Sequence, residues 1–206
     1  MLGAVVSLEG LIDQRRVWRG RQESSPSGLQ PTGHAALDAV LPSGGWPPAA
    51  LSEILLAANG CGELQLLWPT LARLSQAGER IVLIAPPFIP YPHAWMAAGV
   101  RLQHLSVLQA QGRDALWAAE QCLRSGSCAA VLCWPQNPDD KALRRLQVAA
   151  ETGETLAFAL REQQAAHNPS PAALRLSLQG PAGQVQILKC RGGIPPAMPV
   201  TFVSYA

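Results

Sequence analysis

Residues 51–76 have the sequence LSEILLAANGCGELQLLWPTLARLSQ, in which an apolar run is followed by a loop of small residues and then by a helical pattern. The run at Leu51–Leu56 lacks strict alternation, which is typical of a parallel strand covered on both faces. Ala57–Gly62 forms the loop, and helical spacing continues to about Gln76. The stretch therefore predicts a strand and a helix joined at the carboxyl edge of a sheet, where ligands bind in such folds.

Four more apolar runs follow along the chain, and helical patterns separate them. Parallel strands need helices to carry the chain back to the starting edge of the sheet, so the repeat predicts an α/β domain. The predicted strands are Arg80–Ala85, Leu105–Gln109, Ala129–Trp134 and Thr155–Leu160, and the predicted helices lie near 92–98, 113–124 and 139–151.

The pattern changes to alternation after Arg161, which predicts an antiparallel hairpin added to the parallel sheet. A turn at 180–183 separates the two strands of this hairpin. Leu174, Leu176 and Leu178 are expected on one face of the first strand, and the apolar residues after the turn are Val185, Ile187 and Leu188.

The chain has 206 residues, of which 48% are hydrophobic, and this composition suits a single domain with a full core. Its net charge of +2 is too small for strong nonspecific binding to nucleic acid, so any DNA contact should be weak and local. No stretch reaches transmembrane length and the first residues do not fit a signal peptide, so we expect a cytoplasmic protein without membrane contact. The expected units are a docking helix at 1–22, a linker at 23–31, the α/β domain at 32–193 and a C-terminal segment at 194–206.

Residues 7–21 have helical spacing, and Leu11 and Trp18 fall within one stripe about 120° wide. Arg15 and Arg19 fall inside the same stripe. Unpaired guanidinium groups are costly in a core, whereas interfaces favour Trp and Arg together. We therefore predict that this helix docks on a protein partner, and the alternative is that it covers its own sheet.

The loop after the first strand lacks the chemistry of a phosphate loop. The motif G-x-x-x-x-G-K-[ST] uses backbone N–H groups and a lysine to bind phosphates and a hydroxyl to bind magnesium. The degenerate positions here are Ala57, Gly60, Gly62, Glu63 and Leu64, so a carboxylate stands where the lysine should be. The sequence therefore predicts no nucleotide cofactor and no catalysis.

Lys189 and Arg191 follow the predicted hairpin and form a basic patch that we expect to contact a partner or DNA. The five cysteines include no C-x-x-C pair and the four histidines stand apart from other ligand types, so no metal site is predicted. The tryptophans other than Trp18 are expected in or near the core.

The segment before the loop resembles a known family. The pattern Thr32-Gly33-x-x-x-Leu37-Asp38-x-x-Leu41-x-x-Gly44-Gly45-Trp46-Pro47 resembles the RecA segment that precedes its phosphate loop. The resemblance implies a RecA-like, mostly parallel sheet flanked by helices, with a degenerate phosphate loop. It places the RecA lysine at Glu63, the adjacent threonine at Leu64, the catalytic glutamate near Pro87 and the strand-end aspartate at Trp134.

Residues 51–162 also resemble SulA-type division inhibitors, which are relatives of RecA without a phosphate loop. The matching stretches include Leu51-Ser52-Glu53 and Leu123-Arg124-Ser125-Gly126. The whole chain resembles the ImuA family of bacterial DNA-damage-response proteins, through Val17-Trp18-Arg19-Gly20, the segment 32–47 and the stretch from Leu188 to Gly193.

The ImuA resemblance implies a non-catalytic adaptor of the SOS-induced, mutagenic translesion DNA synthesis machinery, associated with the nucleoid when assembled. The implied partners are an ImuB-type relative of Y-family polymerases, an error-prone DNA polymerase III alpha-type subunit and RecA. The SulA resemblance leaves the alternative of an inhibitor that binds FtsZ and stops cell division. An ATPase with an unusual site is the third hypothesis.

Overall fold

The computed structural model describes residues 29–179 and 183–202, and in this part of the chain eight strands form one sheet. The strands are β1 Leu51–Leu56, β2 Ile81–Ile84, β3 Leu105–Leu108, β4 Ala130–Cys133, β5 Leu156–Glu162, β6 Leu174–Gln179, β7 Gln184–Cys190 and β8 Val200–Thr201. The helices are α1 Ala35–Val40, α2 Glu63–Gln76, α3 Pro92–Ala97, α4 Gly112–Arg124 and α5 Asp140–Gly153, with short 3-10 turns at Leu102–His104 and Gln163–His167.

The strand order across the sheet is β3-β2-β4-β5-β1-β6-β7-β8. The first six strands in this order are parallel, and β7 and β8 each pair antiparallel with the preceding strand. The predicted α/β fold with a mostly parallel sheet and a C-terminal hairpin is thus confirmed. β1 lies between β5 and β6, so both of its edges are paired.

The two faces of the sheet are covered by different helices because consecutive strand residues point to opposite sides. Phe158 and Leu160 of β5 join the core cluster that contains side chains of α1, α2 and α3. Ala157 and Ala159 of the same strand join the cluster that contains α4 and α5. The second cluster is rich in alanine, which allows its helices to pack close to the strands.

The segment at 32–46, which precedes β1, packs against α2 and forms hydrogen bonds with it. Trp46 is fully buried, donates through Nε1 to Thr70 Oγ1 at 2.8 Å and meets the ring of Phe158 edge-on with 4.9 Å between centroids. The Thr70 hydroxyl in turn donates to the carbonyl oxygen of Thr32 at 3.1 Å. Gly33 has a φ of +87°, and a Cβ there would lie 2.3 Å from a side-chain atom of Pro69. The residue pattern of this segment therefore has a structural cause, which is close packing on one helix.

Two expectations about side chains are wrong. Trp117 was expected in or near the core, but it is 60% exposed because α4 buries its Ala115 and Ala119 side instead. Leu188 was expected to belong to the regular alternation of the second hairpin strand, but the register shifts there. Ile187 pairs with Leu176 and Lys189 pairs with Arg175, so Leu188 is the extra residue of a bulge and is 38% exposed.

The predicted docking helix, with Leu11, Arg15, Trp18 and Arg19, lies outside the described residues. Most of the predicted linker and the last residues of the C-terminal segment also lie outside them. These assignments stay predictions.

Candidate functional site

The loop at 57–62 joins β1 to α2 at the carboxyl edge of the sheet, where the sequence predicts it. Ala57 and Gly60 are exposed. Gly60 and Gly62 have φ values of +85° and +106°, which glycine adopts without the steric cost that other residues meet. These two glycines turn the chain sharply, so that α2 begins immediately after the loop.

The Glu63 carboxylate lies within this turn. Glu63 is buried, and its Oε1 accepts a hydrogen bond of 2.7 Å from the backbone N–H of Gly60. A negative charge is also favourable in the first turn of a helix, because the first N–H groups carry partial positive charge. A phosphate oxygen about 4 Å from this carboxylate would be repelled by roughly 4 kcal/mol at an effective dielectric constant near 20. The Glu63 carboxylate therefore binds a backbone N–H of the loop that a phosphate loop would offer to its ligand.

The remaining positions of the turn are also unlike a nucleotide site. The Oε2 atom of Glu63 is buried without a hydrogen-bond partner among the described residues. Leu64 packs against the core, so the position of a magnesium-binding hydroxyl is filled by an apolar side chain. None of the ion pairs formed within residues 29–179 and 183–202 involves the loop. The turn and the start of α2, residues 57–64, also contain no Lys or Arg that could face a phosphate.

The neighbouring strand ends carry no carboxylate at the positions that the RecA resemblance indicated. Pro87 is exposed in the loop after β2, and Trp134 follows β4 and packs against the core. Asp139 caps α5, because its side chain accepts from the backbone N–H of Ala142 at 2.7 Å. Among the residues that the structure describes, no three His, Cys, Asp or Glu side chains form a group that could hold a metal ion.

A buried charge cluster lies in the middle of the sheet, on the face opposite α2. Glu53 in β1 is fully buried, and its two carboxylate oxygens form ion pairs with Arg161 of β5 and Arg175 of β6. The Arg175 Nε atom lies 2.7 Å from Glu53 Oε2. Charges are normally excluded from a sheet interior unless they are paired, and here each oxygen has its own guanidinium group. The cluster therefore links the three central strands.

The cluster also holds the irregular segment at 163–173. Arg175 donates to the carbonyl oxygens of Ala165 at 2.7 Å and Asn168 at 3.0 Å. The Lys189 ammonium group donates to the carbonyl oxygen of Ser170 at 2.8 Å. Burial and the neighbouring Arg191 and Arg175 lower the pKa of Lys189. Two basic side chains thus bind backbone carbonyls of a segment that makes few ladder hydrogen bonds of its own.

Lys189 and Arg191 therefore differ from the expected basic patch. Lys189 lies within β7 and is half-buried, whereas Arg191 follows the strand and is exposed. Arg191 faces Glu151 at 3.6 Å. Their predicted partner-binding role stays a prediction, and of the two only Arg191 presents a well-exposed cation.

An exposed apolar surface lies at one corner of the sheet. β3 is one of the two edge strands, and the carbonyl oxygen of Leu108 at its end accepts a hydrogen bond of 2.9 Å from the N–H of Ala85, so the loop after β2 begins beside it. We call this surface the apolar corner. Its exposed side chains are Phe88, Ile89, Tyr91, Val107 and Leu108.

Sequence reasoning identified the loop but missed both the charge cluster and the apolar corner. A signal for the cluster was present, since Glu53 stands inside an apolar strand and Arg175 alternates with leucines. Charges in strand interiors indicate buried ion pairs, although their partners cannot be assigned from spacing alone. The run Pro86-Pro87-Phe88-Ile89-Pro90-Tyr91 was treated only as the end of a strand.

Comparison with known proteins places the chain within a family. The family model of the cell division inhibitor SulA matches residues 49–157, which is more than half of the chain. Among solved structures, a crystal structure of SulA from Pseudomonas aeruginosa has 32% sequence identity and a TM-score of 0.47, and the match covers 56% of this chain and 99% of that one. No sequence among the curated proteins matches the chain. On the extent of the family match, the chain belongs to the SulA family.

Proposed function

We propose that this chain is a non-catalytic, RecA-like adaptor of the SOS response, an ImuA-type member of the SulA family that assembles the translesion DNA synthesis machinery. It acts by offering docking surfaces on a rigid α/β domain. Its partners are an ImuB-type polymerase relative, an error-prone DNA polymerase III alpha-type subunit and RecA.

The observation that carries the non-catalytic part is the position of Glu63. Its carboxylate accepts the N–H of Gly60 inside the turn where a phosphate would have to bind. The positions corresponding to a phosphate-binding lysine and a magnesium-binding hydroxyl are Glu63 and Leu64. A domain that keeps the strand, turn and helix without this chemistry is suited to binding proteins.

The described part of the chain extends beyond the region that the SulA family model matches. The match ends at residue 157, and α1 and strands β6, β7 and β8 lie outside it. Glu53 lies inside the matched region, whereas Arg161 and Arg175, which neutralise it, lie beyond. The additional strands are therefore tied to the matched core by buried ion pairs and form one body with it.

The apolar corner supports protein binding. Large apolar side chains that are exposed in one part of a globular domain commonly mark interaction sites. Ile89 is 89% exposed and Phe88 is 66% exposed, so these side chains contribute little to the core. An apolar protein surface would cover these side chains and remove them from water.

The test is affinity purification of the tagged chain from cells with damaged DNA. We expect polymerase-related proteins and RecA to be recovered. Ile89→Asp should reduce their recovery at least tenfold, about 1.4 kcal/mol. The matched control is Ile194→Asp, because Ile194 is 92% exposed and lies away from the apolar corner in sequence. Equal recovery with both variants would exclude the apolar corner as the docking surface.

A SulA-like inhibitor that binds FtsZ is the second candidate, and the family match favours it. Overproduction in dividing cells discriminates the two functions. Filamentous cells together with recovery of FtsZ would support the inhibitor, whereas normal division together with recovery of polymerase-related proteins would support the adaptor.

Absence of catalysis is tested with the purified chain. We expect neither micromolar binding of ATP·Mg nor hydrolysis, as measured by calorimetry and phosphate release. The double variant Glu63→Lys with Leu64→Thr should also stay inactive, since Pro87 and Trp134 supply no carboxylate. Turnover by either protein would contradict the proposed non-catalytic role.

A further inference from the structure

A tryptophan side chain lies at the surface of α4. Trp117 is 60% exposed, whereas α4 buries Ala115 and Ala119 in the core cluster on this face of the sheet. Exposure of a large aromatic ring forgoes most of the stabilisation that its burial would give. Arg113, one turn before Trp117, is also exposed. The outer side of α4 therefore presents a flat aromatic ring next to a cation.

A buried carboxylate holds two guanidinium groups beside this ring. Glu120 follows Trp117 by three residues, so the two side chains lie on the same side of α4. The Glu120 carboxylate accepts hydrogen bonds from Arg124 Nη2 at 2.7 Å and from Arg145 Nε at 2.8 Å. The side chains of Arg124 and Arg145 are nevertheless 50% and 62% exposed, so both guanidinium groups keep N–H donors that a ligand can reach.

A fourth cation comes from α5, which lies beside α4. Arg145 of α5 contacts Glu120, and a Cβ at Gly153, at the end of α5, would lie 1.8 Å from a backbone oxygen near the end of α4. Because these two contacts follow the same order in both helices, α4 and α5 run in the same direction. Lys141, one turn before Arg145, therefore lies level with the turn of Trp117. Lys141 is exposed and forms no ion pair within the described part of the chain.

The exposed carboxylates of the two helices lie away from these cations. At about 100° per residue, Arg113 is placed about 40° from Trp117 on the side of α4 that meets α5, whereas Asp114 is placed about 60° to the other side. In α5, the exposed carboxylates lie at least about 120° from Arg145 around the helix. We call the surface between the helices the basic face. Its exposed side chains are Arg113, Trp117, Arg124, Lys141 and Arg145.

We propose that the basic face binds single-stranded nucleic acid, with one base stacked on Trp117 and the neighbouring phosphates against the flanking cations. An aromatic ring among cations matches an unpaired base between two phosphates. A base inside a duplex is stacked on its neighbours, so its face is not available to a side chain. The net charge of the chain is only +2, so the binding is weak and sensitive to salt. It does not depend on the proposed protein partners.

The chemistry of the basic face differs from that of the apolar corner. Residues 81–100, which include Phe88, Ile89 and Tyr91 of the apolar corner, contain no Lys, Arg, Asp or Glu. The core of a protein interface is typically apolar and depleted of charged residues. The basic face has a single aromatic ring surrounded by cations, which favours a phosphate-bearing ligand over a protein.

The experiment measures binding of the full chain to a dye-labelled oligothymidylate by fluorescence anisotropy at low salt. We expect the oligonucleotide to bind more tightly than a duplex of the same length. Trp117→Ala should weaken its binding about tenfold, because the stacking platform is lost. Trp117→Phe should retain most of the affinity, since a ring remains. The thermal midpoint of both variants should stay near that of the unaltered chain, because the side chain is exposed.

Two variants of α5 test the placement of the phosphates. Lys141→Gln should weaken binding and reduce the slope of log affinity against log salt by about 0.7, as expected for one lost phosphate contact on a single strand. Arg144→Gln is the matched control, because Arg144 is also an exposed cation of α5 but lies about 100° from Arg145, away from α4. Equal losses in the two variants would contradict the proposed position of the strand.

The same assay can overturn the proposal as a whole. Absence of oligonucleotide binding at low salt, or equal affinities of Trp117→Ala and the unaltered chain, would show that the basic face is not a nucleic-acid site. If the oligonucleotide does not bind and Trp117→Ala instead lowers the recovery of proteins from cells, the basic face docks a protein and the proposal is wrong. Ile89→Asp, in the apolar corner, should bind the oligonucleotide as the unaltered chain does.

Discussion

Glu53 in β1 and Glu63 at the start of α2 are two buried carboxylates on either side of the same loop. They differ in the number of partners that their oxygen atoms have. Both oxygens of Glu53 pair with guanidinium groups. One oxygen of Glu63 accepts a backbone N–H, and the other is buried without a partner among the described residues. Full pairing indicates a charge on which the packing of three strands depends. Partial pairing indicates a charge that the fold tolerates but does not depend on.

The largest loss in the free energy of unfolding is expected for Glu53→Gln. The change keeps the size of the side chain but leaves Arg161 and Arg175 buried without a counter-charge. Removal of one partner from a buried ion pair typically costs about 3–5 kcal/mol. Denaturant unfolding should show a loss of this size, and Glu63→Gln under the same conditions is the control. If Glu53→Gln lost less unfolding free energy than Glu63→Gln, the fully paired carboxylate would not be the more important one for stability.

A smaller loss in the free energy of unfolding is expected for Arg175→Met. Met retains the apolar stem but removes the donors to Glu53 and to the carbonyl oxygens of Ala165 and Asn168. Charged hydrogen bonds of this kind contribute about 1.5–3 kcal/mol. Hydrogen exchange and limited proteolysis at 163–171 should be faster in the variant than in the unaltered chain, while their rates in the rest of the domain should change less. Arg124→Met is the control, because Arg124 also pairs with a carboxylate, that of Glu120, but its side chain is 50% exposed.

Glu63→Gln is expected to change stability by no more than about 1 kcal/mol. The amide oxygen still accepts the N–H of Gly60, and the buried, unpaired Oε2 loses its charge. Glu63→Leu removes the acceptor as well, so it should be less stable than Glu63→Gln. Thermal unfolding of the two variants measures the difference. Equal midpoints would mean that the hydrogen bond to Gly60 contributes nothing.

The smallest effect on stability is expected for Arg191→Glu. Its ion pair with Glu151 is exposed and 3.6 Å long, and such pairs contribute at most about 1 kcal/mol. Partner binding should nevertheless weaken at low salt, since charge complementarity affects association. Lys189→Met serves as the comparison, because Lys189 binds Ser170 within the fold. Unchanged affinity for every recovered partner would remove Arg191 from the docking surface.

Local patterns predicted the order of strands and helices well. Leu51–Leu56 has the predicted bounds, and the loop and helix that follow it lie where the spacing indicated. These features depend on residues that are neighbours in sequence, so periodicity detects them. The hairpin was also predicted, but the bulge at Leu188 was not, because register depends on both strands.

The pairing of Glu53 with Arg161 and Arg175 could not be predicted, since the partners lie 108 and 122 residues away. Only the strand order brings them to one face of the sheet. Trp117 was misplaced because residue type alone does not tell which side of a helix faces the sheet.

The central position of β1 has a consequence during synthesis. This strand is made before every other strand of the sheet, but its two neighbours begin only at Leu156 and Leu174. At about 5–20 residues per second, a ribosome needs on the order of 5–20 s to supply the first of them. Throughout this interval the apolar side chains of β1 and α2 lack their final cover. We therefore expect folding of the nascent chain to be slow and open to aggregation, with a yield that depends on chaperones that bind exposed apolar segments.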